Sequence, residues 1–189
     1  YINREQTGIN TLNLILTNMS EATRLEQMLA TTEKIKFDLQ KVVCSCIAGY
    51  QQVYSDYTFN LATKLSKIEY QGSAEHIVQL LDKVINNAVE FSQDKAISVE
   101  LKQQSNHVEL LISNNGVLLP EQLSESLFDS MVSLRSACSI KNKQQDQPHL
   151  GLGLYIARLI CQFHQGKISA ENHHSPDGVT IKIVLPTKV

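Results

Sequence analysis

The sequence predicts an α+β protein. It is a two-layer α/β sandwich with a mixed, mainly antiparallel sheet and helices on one face, preceded by a long N-terminal helix. Three observations predict this. Alternating apolar segments come in neighbouring pairs, 97–101 with 108–112 and 167–170 with 180–185, and polar turns separate them. Each pair is preceded by a helix with one apolar face, at 75–91 and after Gly151. The strand–helix–strand alternation of a doubly wound parallel sheet is missing, so the helices fall on one side.

Each element has its own signal. Residues 3–31 hold no Pro and a single Gly; Ile9, Leu12, Leu16 and Met19 follow 3-4-3 spacing, and Ala22, Leu25 and Leu29 continue it after a shift. That is an amphipathic helix with a coiled-coil-like seam, whose stripe needs either a partner helix or its own domain. Residues 34–39 alternate as a short strand, 40–54 read as a helix, 59–65 alternate again and 68–70 are extended. Ser73 caps the next helix, which carries Ile77, Leu80, Leu81, Val84, Ile85 and Ala88 on one face. Ser105-Asn106 turns the first hairpin. A short helix follows Pro120, and 136–148 is polar without period. Residues 1–31 and 32–189 thus divide into a helix and a domain.

The totals exclude several classes. The chain has 189 residues, 42% hydrophobic and without Trp, which suits one core. A net charge of −2 gives no footprint for nucleic acid or a membrane surface. No apolar run approaches the roughly 18–20 residues of a membrane span, and no signal peptide is visible. The first residue is Tyr1 rather than Met, so the chain reads as a piece of a longer protein. Cys44 and Cys46 lie two apart on a helix and face different ways; with Cys138 and Cys161 they read as reduced thiols of a cytosolic protein. His173-His174 beside Ser175-Pro176-Asp177-Gly178 reads as a solvated hairpin loop rather than a metal site.

Four segments carry chemistry. Gly151-Leu152-Gly153-Leu154 is a glycine-spaced turn that opens an apolar helix. Its backbone can approach a ligand closely, and its helix N-terminus suits phosphate. No strand directly precedes it, which removes the Rossmann reading. Asn86-Asn87 sits mid-helix, where Asn is unfavourable; a neutral oxygen on a phosphate-bound Mg²⁺ would explain it, as would a solvated position. Lys83, one turn earlier on the same face, is within reach of a phosphate. Ser113-Asn114-Asn115-Gly116 ends a strand, either as an ordinary turn or with the Asn114 oxygen accepting from an adenine amino group. Phe128 and Arg135 flank the polar stretch, one able to anchor a cover and the other to grip phosphate oxygens.

The order of these segments resembles the ATP-binding domain of sensor histidine kinases, in the superfamily shared with gyrase, heat-shock chaperone and mismatch-repair ATPases. Residues 32–187 follow its layout. Ile85-Asn86-Asn87-Ala88-Val89-Glu90-Phe91 matches the Asn box, Gly151-Leu152-Gly153-Leu154 the glycine box, and Gln165-Gly166-Lys167-Ile168 with Leu185-Pro186 the ending. Arg24-Leu25-Glu26-Gln27-Met28-Leu29 looks like the second helix of the dimerisation hairpin. The resemblance implies ATP and Mg²⁺, with Mg²⁺ on Asn87, adenine toward Asn114 and Gly116, and the triphosphate near Gly151–Leu154. Lys83 and Arg135 would supply charge, and Phe128 would belong to the cover.

Departures from the family pattern are specific. Asn114-Asn115-Gly116-Val117-Leu118 stands for Asp-x-Gly-x-Gly, so an amide replaces the adenine-reading carboxylate and a glycine is lost. Lys83 replaces an Asn, Glu90 a Lys, His149 the first glycine and Val179 a Thr. None of the six histidines lies in the His-Glu-x-x-x-Pro context of a phosphoacceptor. The fragment is therefore expected to hold no catalytic residue and to bind ATP·Mg²⁺ without autophosphorylating. The nucleophilic His would lie on a missing helix and pass phosphate to a response-regulator receiver domain. The resemblance further implies a homodimer through the N-terminal helix and a cytoplasmic domain of a protein anchored in the bacterial inner membrane by upstream segments. Two other readings remain: a degenerate, non-catalytic signalling module, motivated by Asn114, Leu118 and Glu90, and an anti-sigma-type Ser/Thr kinase, against which the N-terminal helix argues.

Overall fold

The structure, a computed structural model, describes residues 16, 20, 22–63, 67–120, 126–129 and 152–187. The chain runs α1 (22–31), β1 (Ile35–Asp38), α2 (Leu39–Val53), β2 (Thr58–Thr63), β3 (Glu69–Gly72) and α3 (Ala74–Phe91). It continues through β4 (Ser92–Gln103), β5 (His107–Gly116), a 3₁₀ turn (Ser126–Phe128), α4 (Leu152–Phe163), β6 (Lys167–His173) and β7 (Gly178–Pro186). Five strands form one mixed sheet in the order β2-β4-β5-β7-β6. β2 pairs parallel with β4, and the other pairs are antiparallel. The parallel pair needs a long crossover, which β3 and α3 supply. This is the two-layer architecture the hairpins predict.

The short strands differ from expectation. Rather than joining the main sheet, β1 and β3 pair with each other, Ile35 opposite Gly72 and Asp38 opposite Glu69. Each stops where a helix begins. Asp38 caps α2 by accepting from the Lys41 N–H at 3.4 Å, and the same oxygen accepts from the Ile68 N–H at 3.2 Å. Ser73 caps α3 by accepting from the His76 N–H at 3.4 Å. Two helix starts are thus fixed by one oxygen each.

Strand alternation sets which side is core. On β5 the even positions from Val108 to Gly116 are buried and the odd ones half-exposed. The buried stripe of α3 (Ile77, Leu80, Leu81, Val84, Ile85, Ala88) packs into that face together with Ile156, Ala157 and Ile160 of α4. α3 and α4 lie antiparallel, Ser73 beside His164 and Lys83 beside Gly153. The His164 ring fixes the first contact. Its Nδ1 donates to the Ile160 carbonyl at 2.8 Å, which leaves Nε2 to accept from the Ser73 N–H at 3.1 Å. Gly72 makes room, since a Cβ there would lie 2.6 Å from the His164 ring. Burial pushes the His164 pKa down to about 4.

Along α1, Ala22, Leu25 and Leu29 are buried, and Leu25 and Leu29 belong to the same core as the sheet. Tyr155 of α4 donates its hydroxyl to Glu26 at 3.1 Å. This half of the seam is covered by its own chain. Leu16 is 65% exposed; Ile9, Leu12 and Met19 lie outside the described residues. Cys44 and Cys46 are half-buried and Cys161 is fully buried, its thiol pushed up to about 12 by burial; Cys138 lies outside the described residues. Among the described residues no helix is long and apolar enough to cross a membrane.

Candidate functional site

A cleft opens where the C-terminal half of α3 meets the ends of β5 and β7. α3 contributes Asn87, Ala88 and Phe91, β5 contributes Asn114, and β7 contributes Val179 and Ile181. Val117, Leu118 and Leu119 line it from the segment after β5, and Leu127 from the 3₁₀ turn. Among the described residues the wall is apolar except for the two amides.

Asn114 reaches the cleft because it occupies a core-facing position of β5, opposite Ile97 on β4 and Val179 on β7. It is 7% exposed, and its Nδ2 is buried with no hydrogen-bond partner among the described residues. An unpaired buried donor costs about 1–3 kcal/mol, so this position is unfavourable unless something else supplies an acceptor. Asn115, one residue on, is turned away and donates to Asp94 at 2.5 Å. That bond is the chief reason the Asp94 carboxyl stays below the usual carboxylate range.

Two glycines hold the strand ends close. Gly116 donates its N–H to the Asp177 carbonyl at 2.9 Å, and a Cβ there would lie 2.3 Å from the Phe91 carbonyl oxygen. A Cβ at Gly178 would lie 2.2 Å from the Asn114 carbonyl oxygen. Leu119 is fastened by the Asn172 amide, which accepts from its N–H at 2.8 Å and donates to its carbonyl at 2.9 Å.

The two Asn of α3 separate cleanly. Asn86 is exposed, donates to Asp82 at 3.1 Å and accepts from the Tyr54 hydroxyl at 2.7 Å, so it ties α3 to α2. Asn87 is half-buried and lines the cleft. Lys83 lies with its Cδ 4.0 Å from where a Gly153 Cβ would sit, at the first turn of α4. N–H groups of a first turn have no partner within their helix, so cation and donors meet at one spot. Leu152 and Leu154 are buried, their side chains in the interior rather than toward a ligand. Phe128 is 4% exposed within the core; its neighbour Leu127 faces the cleft instead. Asp129 beyond it pairs with Arg158 of α4. Arg135, Gly151 and the 136–148 stretch lie outside the described residues.

The structure therefore brings Asn87 and Asn114 together, and Lys83 with Gly153. Gly116 supports the cleft from behind. Sequence reading missed Ala88, Phe91, Val117, Leu119, Leu127 and Ile181 as lining. The only signal for them was the apolar run Val117-Leu118-Leu119 directly after a strand-end turn. Among the described residues no group of three His, Cys, Asp or Glu side chains could hold a metal ion. Asn87 alone suits a cation whose remaining ligands are phosphates and waters.

Comparison with known proteins bears on this geometry. A match to the family described as "Histidine kinase-, DNA gyrase B-, and HSP90-like ATPase" spans residues 72–189. The signal transduction histidine-protein kinase ArlS of Staphylococcus haemolyticus is 25% identical over 92% of this chain and 40% of its own length. The sensor protein kinase WalK of Staphylococcus saprophyticus is 26% identical over 100% of this chain and 30% of its own. The chain thus spans well under half the length of these relatives. Among solved structures, the catalytic domain of histidine kinase ThkA superposes with TM-score 0.70 at 22% identity, covering 82% of this chain and 99% of that one. Histidine kinase ThkA in complex with the response regulator protein TrrA superposes with TM-score 0.67 at 20% identity, covering 93% of this chain and 50% of that one. The chain belongs to the histidine kinase-, DNA gyrase B- and HSP90-like ATPases and carries an ATPase domain of the sensor histidine kinase kind.

Proposed function

We propose that this chain is the ATP-binding catalytic part of a two-component sensor histidine kinase. The observation that carries the reading is the buried Asn114 amide, with an unpartnered nitrogen in an apolar cleft shared with Asn87. A nucleotide base is flat, largely apolar on its faces and polar at its edge, which is the shape and chemistry such a cleft accepts. Asn114 would hold the base edge, and Val117, Leu118, Val179 and Ile181 its faces. Asn87 would offer its oxygen to Mg²⁺ beside the phosphates, where the cation neutralises charge. Lys83, the first turn of α4 with Gly151 and Gly153, and Arg135 would hold the triphosphate. The protein's part in phosphoryl transfer is then positioning and electrostatics, with no covalent step on its own side chains.

On this reading the phosphoacceptor His lies on a hairpin helix outside this chain, residues 1–31 are the second helix of that hairpin, and two copies dimerise through it. The phosphoryl group passes to an Asp of a response-regulator receiver domain, as suits a cytoplasmic kinase domain tied to the inner membrane by other segments. Calorimetric titration with ATP, with and without Mg²⁺, tests the core of it. Saturable, Mg²⁺-dependent binding is expected, with no acid-labile phosphate on the fragment itself. No binding at millimolar nucleotide would overturn it and favour a second reading, a nucleotide-free signalling module. That reading draws on Leu118 and Val179, which put aliphatic side chains into the cleft.

A further inference from the structure

We propose that the Asn114 cleft accepts hypoxanthine nucleotides as readily as adenine ones, so that the protein uses inosine nucleotides alongside ATP. The inference rests on the reading that a nucleotide base occupies the cleft, and deepens it to base selectivity. A primary amide carries a donor and an acceptor on one planar group, and rotation by 180° about its last bond exchanges them. Adenine presents a donor at its 6-amino group and an acceptor at N1. Hypoxanthine presents the reverse, an acceptor at O6 and a donor at N1. Asn114 complements either edge with two hydrogen bonds, in one of its two orientations.

Selectivity would then have to come from a second group, and the other polar side chain of the described lining is Asn87, itself an amide that offers both a donor and an acceptor. Ala88, Phe91, Val117, Leu118, Val179 and Ile181 offer no side-chain hydrogen-bond partner. The main chain of Leu119 is already engaged at both its N–H and its carbonyl by Asn172. Among the described residues no carboxylate lines the cleft to repel an O6 oxygen. The unpartnered Nδ2 gains an acceptor with either base, N1 of adenine or O6 of hypoxanthine. Discrimination between the two base edges normally arises because a wrong edge leaves buried polar groups unpaired. With adenine or hypoxanthine neither edge does.

The test is competitive displacement of a fluorescent ATP analogue by ATP and by ITP, in Mg²⁺, on the wild-type chain and on Asn114→Asp. ITP differs from ATP only at the 6-position edge, which isolates the contact. For the wild type the two dissociation constants are expected to agree within about threefold. In the Asp variant ITP is expected to weaken relative to ATP by about tenfold or more, or 1.4 kcal/mol, because a carboxylate cannot face O6. Wild-type binding of ATP with ITP rejected tenfold or more would overturn the inference and leave the nucleotide site standing. Failure of both nucleotides to displace the probe, or of the probe to bind, would overturn the site itself and the inference with it. The wild-type ratio decides the matter even if Asn114→Asp does not fold.

Discussion

Lowering the pH from 7.5 to 5 should destabilise this domain through one histidine. His164 is 2% exposed, donates from Nδ1 to Ile160 and accepts at Nε2 from the Ser73 N–H. Protonating Nε2 would set a donor against a donor in a buried site. The pKa of about 4, against 6.5 for a free His, has burial as its first cause, with Lys34 and His76 opposing the charge further. Between those two values the unfolded chain holds the proton and the folded one does not, so stability rises with pH across the window. It is fully present above about pH 6.5 and falls as pH drops toward 4. At about 1.36 kcal/mol per unit, pH 5 costs about 2 kcal/mol and the whole window about 3. His76, also buried with its pKa lowered, adds in the same direction, and the perturbed carboxylates Asp56, Asp94 and Glu109 act at lower pH. Urea unfolding at pH 7.5, 6 and 5 measures it. His164→Gln keeps an acceptor for Ser73 but cannot titrate; it should be less stable than wild type at pH 7.5 by about 1 kcal/mol, for the lost Ile160 bond. The gap should close or reverse by pH 5. If wild type and variant lose stability in parallel across this range, His164 is not the titrating group and the argument fails.

The site yields further expectations. Asn87→Ala should weaken nucleotide binding chiefly in the presence of Mg²⁺, seen by calorimetry with and without the cation, while melting temperature stays near wild type. Asn86→Ala should do the opposite: it loses the Tyr54 and Asp82 bonds and about 1 kcal/mol of stability, with nucleotide affinity unchanged. Gly116→Ala drives a Cβ to within 2.3 Å of the Phe91 carbonyl and should cost about 1–3 kcal/mol in denaturant melts, with loss of nucleotide binding as the cleft wall shifts. Gly72→Ala meets the His164 and Tyr70 rings at 2.6 and 2.7 Å and should cost a similar amount, read in the same melts.

Most of the fold was legible because its signals are local. The stripe Ile77–Ala88 has helical period, Ser73 is a cap, and the alternation of 108–112 survives as the buried and half-exposed positions of β5. What pairs with what was less so. That β1 joins β3 rather than the main sheet depends on where Asp38 and Ile68 meet across thirty residues, and no spacing records that. At the site, Asn87 and Asn114 stood out because polar residues on apolar faces need a reason. Which of Asn86 and Asn87 looks into the cleft depended on Tyr54, a tertiary partner. The aliphatic lining was invisible for the converse reason: Leu127 and Ile181 read as ordinary core, and only the gap beside them makes them walls.

The contact between Ser73 and His164 also sets how the two helices can move. It is a pin at one end of an antiparallel pair, with Lys83 and Gly153 at the other end, ten residues or about 15 Å along α3. A pair fastened at one end opens like a pair of shears, with the smallest displacement at the pin and the largest at the tips. The tips are the first turn of α4 and, about one and two turns further along α3, Asn87 and Phe91. A small angular change at His164 is therefore read out with a long lever arm at the mouth of the cleft, where no residue of the pin is in sight.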